Sequence, residues 1–484
     1  MVQMLRPWPL HIPLDRQGPA ALHSQISQAV AAGVRSGRLP PGSPLPGTRE
    51  LAAQLGVNRK TVQLAYDDLV AGGWATAQGR RGTFIAPEQP AALCPAADAG
   101  PPPVTARHRR VVPSPPAPEM IVFDDGAPDT RLVPVTALAQ AYRNALLRLS
   151  SGNRLADEHP LGNTALRRSI STMLNFNRGM ATVPERICLT RGSQMAIFLA
   201  ARLLTGPGTV AAMEEPGYSE ARAAFRAAGA DLAPIPVDRA GLRVDALEEL
   251  CRHRPPACVY VTPHHQFPTT VSLTPERRRH LLDLSGRYGF TILEDDYDHE
   301  FHFVRAPILP VASLDGAENI VYIGTFSKLL SPHLRSGYLT GPAWFIRRAA
   351  AAVRQIDRLG DPVTELAVAD LIDSGVIQRH HEKARHLYDQ RRQAFGTMLH
   401  QTFGPLARCT LPDGGLACWV EFDAPFGAAG CAARMRAAGI RPLPGRIFWA
   451  GKPNPQTTRI GYAHMAPAQM AKALRRLKQA LWPQ

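Results

Sequence analysis

The sequence predicts a small N-terminal α+β domain and a larger α/β domain, which has a mostly parallel sheet and ends in a small α+β subdomain. Three observations support this multidomain fold class. Residues 1–86 carry short amphipathic helices followed by a hairpin pattern. Residues 87–118 are rich in Pro and Ala, as in an extended linker. From residue 119 to 484, helices alternate with short β-branched runs, for example at residues 187–190, 259–261, 291–293 and 320–323, and the subdomain is expected to begin near residues 360–410.

The composition is that of a globular protein. The 484 residues are 45% hydrophobic and 20% charged, which excludes a wholly disordered or collagen-like chain. Seven dispersed cysteines without paired spacing favour a reducing cytoplasm, and we predict no metal site. The N-terminus is interrupted by prolines and does not resemble a signal peptide. Since no run of about 18 apolar residues occurs, no membrane span is expected.

The net charge of +15 predicts a polyanionic partner. Residues 1–86 hold nine Lys and Arg residues against four acidic ones. After Asp423 there are ten Lys and Arg residues and no acidic residue. The role of this basic C-terminal part stays open between a DNA contact, attraction of acidic ligands and a solvated surface.

The N-terminal elements follow from periodicity and capping. Apolar residues recur every four positions from Leu22, which predicts a helix. Thr48 and Asn58 are suited to cap a second and a third helix. Residues 74–77 and 82–85 then predict two strands around a tight turn.

Two helices joined through a turn that contains glycine are typical of a helix-turn-helix, whose second helix presents its first residues to DNA. Arginines at a hairpin tip are suited to reach a minor groove or phosphates. The residues predicted to contact DNA are Arg49, Asn58, Arg59, Lys60, Thr61, Gln63, Arg80, Arg81 and Gly82. The alternative is that these are solvated charges on a small helical domain.

The stretch SGRLPPGSPLPGTRELAAQLGVNRKTVQLAYDDLVAGGW, followed by GRRGTFIA, resembles the GntR-type winged helix. The resemblance covers residues 23–86. It implies that double-stranded promoter DNA is bound by Arg49 at the start of the second helix, by residues 58–61 and by the wing at residues 80–82.

A lysine after a predicted strand is the first candidate in the larger domain. Lys328 follows the strand at residues 320–323, and a lysine with a lowered pKa can form a Schiff base with an aldehyde cofactor. Arg335 is suited to bind a phosphate, and Thr325 and Ser327 add hydroxyl donors. Alone, this segment is equally compatible with a surface lysine.

Further residues fit the cofactor pyridoxal 5'-phosphate (PLP). Asp295 is predicted to pair with the pyridine nitrogen and Tyr297 to reach the ring hydroxyl, although the acidic cluster alone also fits a solvated loop or a metal site. Tyr218 is placed at a turn, where it can stack on the ring. The start of an apolar helix offers an anion site for the phosphate, formed by Gly192, Ser193 and Gln194.

These residues, in this order, resemble the fold-type I aminotransferases, and the resemblance runs from about Phe123 to the C-terminus. It implies PLP bound to Lys328, with Arg335 and residues 192–194 at the phosphate. Arg459 matches the arginine that binds the α-carboxylate of an amino acid in that family.

One segment departs from working aminotransferases. Where those carry Asn-Pro-Thr-Gly, this chain has Phe267 at the asparagine position and Thr270 at the glycine position, and His265 or Gln266 is expected to substitute as donor to the cofactor. The form Thr-Pro-His-His-Gln-Phe-Pro is similar to the MocR-type regulators, in which a GntR winged helix is fused to an aminotransferase-like domain. That resemblance spans the full chain.

The resemblance implies a homodimeric DNA-binding transcriptional regulator that senses a metabolite through PLP held as a Schiff base on Lys328. The effector is expected to be a small amino compound or PLP itself. We interpret the larger domain as a sensor rather than an enzyme, while a residual transamination half-reaction stays open. The alternatives are an active PLP-dependent aminotransferase with an accessory DNA-binding domain, and a scaffold that has lost cofactor use.

Overall fold

The structure is a computed structural model that describes residues 10, 12–87, 120–151, 159–303, 308–358, 360–423, 429–441, 443–452, 454 and 456–482. The chain divides into two compact units, residues 1–113 and 114–484, which are described separately. Apart from Pro87, the predicted linker at residues 87–118 lies outside the described residues.

The first unit is a helical bundle with a hairpin. Its elements are α1 (Leu22–Arg35), α2 (Thr48–Leu55), α3 (Arg59–Ala71), β1 (Ala75–Ala77) and β2 (Thr83–Ile85). Helix α2 ends at Gly56, whose φ of 62° is readily adopted only by a residue without a side chain. Asn58 begins α3 by accepting a hydrogen bond from the Lys60 backbone N–H at 2.8 Å. The strands β1 and β2 pair antiparallel.

A compact apolar core holds this unit together. Ile26 and Val30 of α1, Leu51 of α2, and Val62 and Leu69 of α3 are almost completely buried against one another. Burial of such side chains contributes roughly 1.5–3 kcal/mol each relative to exposure. The four-residue spacing in the sequence therefore reflects real helix faces that meet.

Among the described residues of the second unit, eight strands form the main sheet. They are β4 (Ile187–Thr190), β5 (Val210–Glu215), β6 (Asp231–Asp238), β7 (Gly241–Leu242), β8 (Cys258–Val261), β9 (Thr291–Asp296), β10 (Ile320–Thr325) and β11 (Gly337–Thr340). Their order in the sheet is β4-β11-β10-β9-β8-β5-β6-β7. The run β10, β9, β8, β5 and β6 is parallel, whereas β11 and β7 pair antiparallel with their neighbours. The predicted mostly parallel α/β class is confirmed.

Helices connect these strands and lead to the C-terminal part. They are α4 (Val135–Ser150), α5 (Thr164–Arg178), α6 (Ser193–Leu204), α7 (Ser219–Ala227), α8 (Val244–His253), α9 (Pro275–Tyr288), α10 (Ala343–Asp357), α11 (Pro362–Asp373), α12 (Val376–Phe403), α13 (Ala429–Ala437) and α14 (Pro467–Leu481). None of the helices in the described ranges is both long and apolar enough to cross a membrane.

A second, antiparallel sheet follows the 28-residue helix α12. It consists of β12 (Ala407–Arg408), β13 (Ala417–Phe422) and β15 (Thr457–Gly461), with β13 in the middle. The short strand β3 (Ile121–Val122), at the start of the unit, pairs in parallel with β14 (Ile440–Arg441). The segment after β3 is thereby drawn to this C-terminal part, and it enters the candidate site.

Candidate functional site

The predicted DNA-reading residues lie on the exposed face of α2 and α3. Arg49, Asn58, Arg59, Lys60 and Gln63 are all exposed. Arg59 Nε donates to Thr48 Oγ1 at 3.3 Å, which holds its guanidinium against the start of α2. Thr61 is half-buried at the first turn of α3. The two helix starts therefore present a joint basic surface, as a helix-turn-helix requires.

The hairpin tip matches the predicted wing in position. The Gln78 backbone N–H donates to the Gly82 carbonyl oxygen at 2.8 Å and closes the turn between β1 and β2. Gly82, with a φ of 102°, and Arg81 are both exposed. The side chain of Arg80 lies outside the described residues.

Leu64 was not among the predicted contacts. Its side chain is 44% exposed on α3, next to Gln63, whereas most apolar side chains of this unit lie in the core and Val70, near the other end of α3, is also exposed. An exposed apolar residue on a recognition helix is suited to contact a thymine methyl group. Its position at i+4 from Lys60 on the polar face is a signal that the sequence already contained.

In the second unit, the parallel strands place their carboxyl ends at one edge of the sheet. At this edge, β10 ends at Thr325, three residues before Lys328, and β9 ends at Asp296, the residue after Asp295. Strand pairing sets Asp295 opposite Ile323. Open α/β sheets bind ligands at this edge, and the predicted residues meet there because of the strand order.

Lys328 is half-buried and donates from Nζ to the Gly126 carbonyl oxygen at 2.8 Å. Thr325 Oγ1 donates to Ser327 Oγ at 3.0 Å and also lies within 3.3 Å of the Ser336 carbonyl oxygen. These bonds brace the turn that presents the lysine. Gly126 was not predicted, because it lies 202 residues away in the chain.

Asp295 is buried at the sheet edge, and its two oxygens differ. Tyr260 donates to Oδ2 at 2.7 Å, whereas Oδ1 has no hydrogen-bond partner within the described residues. Burial raises the pKa of Asp295 to about 7, although the Tyr260 hydrogen bond opposes the shift. A buried acceptor without a donor is costly, so Oδ1 is suited to a ligand that brings one.

Gly192 and Arg335 form a close cradle at the start of α6. Gly192 has a φ of 78°, and a Cβ atom built on it would lie 3.1 Å from the Arg335 guanidinium carbon. Arg335 is exposed and donates to the Arg191 carbonyl oxygen at 3.0 Å. Exposed guanidinium donors beside a helix start favour an anion such as a phosphate.

The other two predicted residues of this helix start, Ser193 and Gln194, are half-buried. Gln194 Nε2 donates to the Glu220 carbonyl oxygen at 3.3 Å, while its Oε1 is buried without a hydrogen-bond partner among the described residues. Arg191 forms an ion pair with Asp357. The guanidinium that contacts Gly192 is therefore that of Arg335.

Aromatic rings line the adjoining wall. Tyr218 packs edge-on against Phe267 at 5.1 Å between centroids, and Phe267 packs in the same way against Tyr297 at 5.8 Å. Burial, followed by the negative charge of Asp295, raises the pKa of Tyr218. Tyr218 and Tyr297 therefore share one wall, and both are half-buried.

Arg459 is fully buried, and each of its three nitrogens donates a hydrogen bond. Nε donates to the Asp125 carbonyl oxygen and Nη1 to that of Pro268, both at 2.8 Å, and Nη2 donates to Tyr297 Oη at 3.3 Å. The guanidinium also stacks on Phe267, 4.6 Å from the ring centroid. A carboxylate ligand that paired with this guanidinium would compete with these acceptors.

The expected donor role of His265 finds no supporting contact. Its ring Nδ1 is 2.8 Å from Asp298 Oδ1, and its ring packs against those of His264 and His302. Only its backbone carbonyl faces the site, where it accepts a hydrogen bond from Tyr297 Oη at 2.9 Å. The imidazole is drawn into a histidine cluster that sequence spacing did not reveal.

Thr270, at the glycine position of the aminotransferase motif, adopts a backbone conformation that suits glycine. Its φ is 66°, in the left-handed region that glycine enters freely and β-branched residues rarely do. Its backbone N–H donates to the Gln266 carbonyl oxygen at 2.7 Å, which holds the turn.

Two family models match the chain. Residues 22–85 match the model described as bacterial regulatory proteins, gntR family, and residues 118–477 match aminotransferase class I and II. The first match falls in the smaller compact unit and the second in the larger one.

Similar curated proteins share this arrangement over most of their length. The probable rhizopine catabolism regulatory protein MocR of Rhizobium meliloti is 30% identical to this chain, over 96% of this chain and 95% of the length of MocR. The transcriptional regulator TauR of Rhodobacter capsulatus is 32% identical over 96% and 97%, respectively. The pyridoxine biosynthesis regulator PdxR of Corynebacterium glutamicum is 30% identical over 86% of both chains.

Similar solved structures include aminotransferases. LysN, an α-aminoadipate aminotransferase of Thermus thermophilus, superposes with a TM-score of 0.70 at 27% identity, over 75% of this chain and 92% of that one. A kynurenine aminotransferase of Pyrococcus horikoshii gives a TM-score of 0.69 at 26% identity, over 75% and 91%.

Proposed function

Because this chain belongs to the MocR-type transcriptional regulators, in which a GntR-type DNA-binding domain is joined to an aminotransferase-like domain, we propose that it senses an amino compound through PLP held on Lys328. Binding of that compound would then alter promoter binding. The observation that carries the proposal is Asp295, whose buried Oδ1 has no hydrogen-bond donor among the described residues.

The residues at the sheet edge fit PLP. Asp295 Oδ1 offers the acceptor that a pyridinium N–H needs, and the Tyr260 hydrogen bond orients the carboxyl group. The absence of a side chain at Gly192 lets the exposed Arg335 guanidinium lie against the start of α6, where it could bind the phosphate. Tyr218 offers a ring face next to the same wall.

PLP supplies an aldehyde that condenses with primary amines. Lys328 Nζ would hold PLP through that carbon and would leave the Gly126 carbonyl oxygen to do so; once an amine takes its place, the freed lysine could donate to that oxygen again. Arg459 would bind the carboxylate of an amino-acid effector by exchanging its carbonyl acceptors. PLP itself is a second candidate signal, since binding of PLP to Lys328 would also change the contacts of that lysine.

Control of DNA binding follows from linkage. The effector must bind two arrangements of the protein with different affinities, because otherwise no population shift results. We propose a homodimer whose two winged helices contact two half-sites, as two-fold symmetry would dictate. The promoter DNA would be contacted by one surface, formed by Arg49, residues 58–63, Leu64 and the wing.

A second candidate function is catalysis of transamination. It is favoured by the likeness to LysN and by the presence of both Lys328 and Asp295. Sustained turnover of a common amino acid and a keto acid by the full-length protein would rank this function first. A single half-reaction without turnover would support sensing.

The decisive experiment follows the visible absorption of lysine-bound PLP in the full-length protein. We expect the band in the unaltered protein and in the control Lys383→Ala, whose lysine is exposed on α12, but not in Lys328→Ala. A colourless protein after addition of PLP would contradict the proposal. Binding to DNA from the gene's own upstream region, titrated with amino compounds, should respond in Lys383→Ala and not in Lys328→Ala.

A further inference from the structure

Four histidines meet behind the candidate cofactor site. His264 and His265 follow β8, and His299 and His302 follow β9. Because β8 and β9 are adjacent and parallel, the two segments leave the sheet side by side. The histidine pairs lie more than thirty residues apart in the chain, and only the strand order unites them.

The rings form a tight group. His264 stacks on His299 at 4.3 Å between centroids and contacts His265 at 4.4 Å. His302 lies 5.3 Å from His264 and 5.7 Å from His265. One ring nitrogen from each of His264, His265 and His302 lies within 4.8 Å of the other two.

Most ring nitrogens of this group lack donors and acceptors. Six of them are buried without a hydrogen-bond partner among the described residues: both nitrogens of His264, both of His302, and Nε2 of His265 and of His299. Buried polar atoms are nearly always satisfied, by protein, water or an ion. So many unsatisfied imidazole nitrogens in one place indicate a missing shared partner.

His265 shows the arrangement expected of a metal ligand. Its Nδ1 donates to Asp298 Oδ1 at 2.8 Å, so Nε2 carries the free lone pair. Gly414 lies beside that nitrogen, and a Cβ atom there would stand 2.4 Å from Nε2. The glycine therefore keeps clear the space next to the nitrogen.

We propose that His264, His265 and His302 bind a Zn²⁺ ion, with a fourth coordination position left for a small ligand. Imidazole nitrogens are preferred zinc ligands, and Zn–N bonds of about 2.0–2.1 Å require the three nitrogens, which lie within 4.8 Å of one another, to move closer together.

The charge and access of the site agree with a cation. Asp298 lies behind His265 and can offset part of the ionic charge, whereas Asp296, whose Oδ2 is 3.1 Å from His299 Nδ1, already forms an ion pair with Arg178 at 3.7 Å. His299 and His302 line a cavity of about 1040 Å³ that also borders α5 and α12. An ion and its fourth ligand can therefore reach the group from this cavity.

The test is zinc content of the full-length, tag-free protein. The protein is first treated with a chelator, then equilibrated with ZnCl₂ and separated from unbound metal. Its zinc content is measured by inductively coupled plasma mass spectrometry. We expect one tightly bound zinc ion per chain. Binding should be lost in His264→Gln and His302→Gln but retained in His400→Gln, whose histidine is exposed on α12. Substitution with Co²⁺ should give the strong visible bands of tetrahedral coordination.

Each outcome decides the proposal. Equal zinc content in His302→Gln and His400→Gln, or no retained zinc in the unaltered protein, would overturn it and leave buried water as the partner. His302 is only half-buried, so its variant is expected to fold if His264→Gln does not. If neither folds, the Co²⁺ spectrum of the unaltered protein decides. The assay uses neither PLP nor DNA, so its failure leaves the proposed regulatory function untouched.

Discussion

Lys328 and Arg459 donate hydrogen bonds of 2.8 Å to the carbonyl oxygens of two consecutive residues, Gly126 and Asp125. One short segment therefore restrains both the amine proposed to carry PLP and the guanidinium proposed to bind an effector carboxylate. A carboxylate that draws Arg459 away from Asp125 would alter the segment that also contacts Lys328. The two ends of an amino-acid effector would thus act on the same loop.

The first prediction concerns Arg459→Lys, which keeps the positive charge but replaces the planar guanidinium group by an ammonium group. We expect amino acids to displace Lys328 from PLP at least about tenfold less effectively, because the guanidinium geometry suits a carboxylate and an ammonium does not. The measurement is the change in PLP absorption during titration. A simple amine without a carboxylate is the control and should be unaffected. Equal losses for both ligands would argue against a carboxylate site.

The second prediction concerns the phosphate cradle. Gly192→Ala should weaken PLP binding about tenfold, because the new Cβ would press on the Arg335 guanidinium, and the φ of 78° should cost about 1–3 kcal/mol of stability. Gly286→Ala in α9 is the matched control, since a Cβ there meets open space. It should leave PLP binding unchanged. PLP titration and thermal denaturation measure the two effects, and unchanged affinity in Gly192→Ala would place the phosphate elsewhere.

The third prediction concerns DNA. Arg59→Ala should weaken binding to the specific DNA site by about 1–3 kcal/mol. If the Lys60 ammonium contacts a phosphate, Lys60→Ala should reduce the slope of log affinity against log salt concentration by about one. Leu64→Ala should lower affinity without changing that slope, because it carries no charge. The measurement is fluorescence anisotropy on promoter DNA at several salt concentrations. Arg252→Ala, an exposed site on α8 in the other unit, is the control. Equal effects at Arg59 and Arg252 would reject the proposed surface.

The fourth prediction concerns pH. Burial raises the pKa of Glu214 to about 7 from a usual value of 4.5. The folded protein therefore holds a proton that the unfolded chain releases, and stability is lost as pH rises from about 4.5 to about 7. The loss for this group is at most about 3 kcal/mol. Glu214→Gln should flatten this slope and raise the melting temperature at pH 8.

The measurement for Glu214 is thermal denaturation of the PLP-free protein across that range. Glu215→Gln is the natural comparison, because Glu215 is adjacent but accepts hydrogen bonds from the backbone N–H groups of Ala450 and Gly451. It should not flatten the slope. If Glu214→Gln and the unaltered protein show the same pH dependence, Glu214 is not protonated in the folded state.

Local signals predicted much of the fold. The cap at Asn58 and the strand at residues 187–190 were predicted where the structure has them, because capping and short apolar runs depend on neighbouring residues. The runs at residues 291–293 and 320–323 proved to be the starts of longer strands, since their polar last residues are buried by packing at the sheet edge. Polarity alone does not distinguish such residues from loop residues.

The sequence by itself determined the two-part organisation, the helix-turn-helix and the order of the residues proposed to hold PLP. Those depend on periodicity, caps and motifs that are local in the chain. Only the tertiary structure decided that Lys328 and Arg459 contact one loop, that the His265 ring turns away from Tyr297 and that four histidines lie together. Strand order and helix packing bring these groups within hydrogen-bond or ring-contact distance across about 30 to more than 300 positions, and no local pattern encodes that proximity.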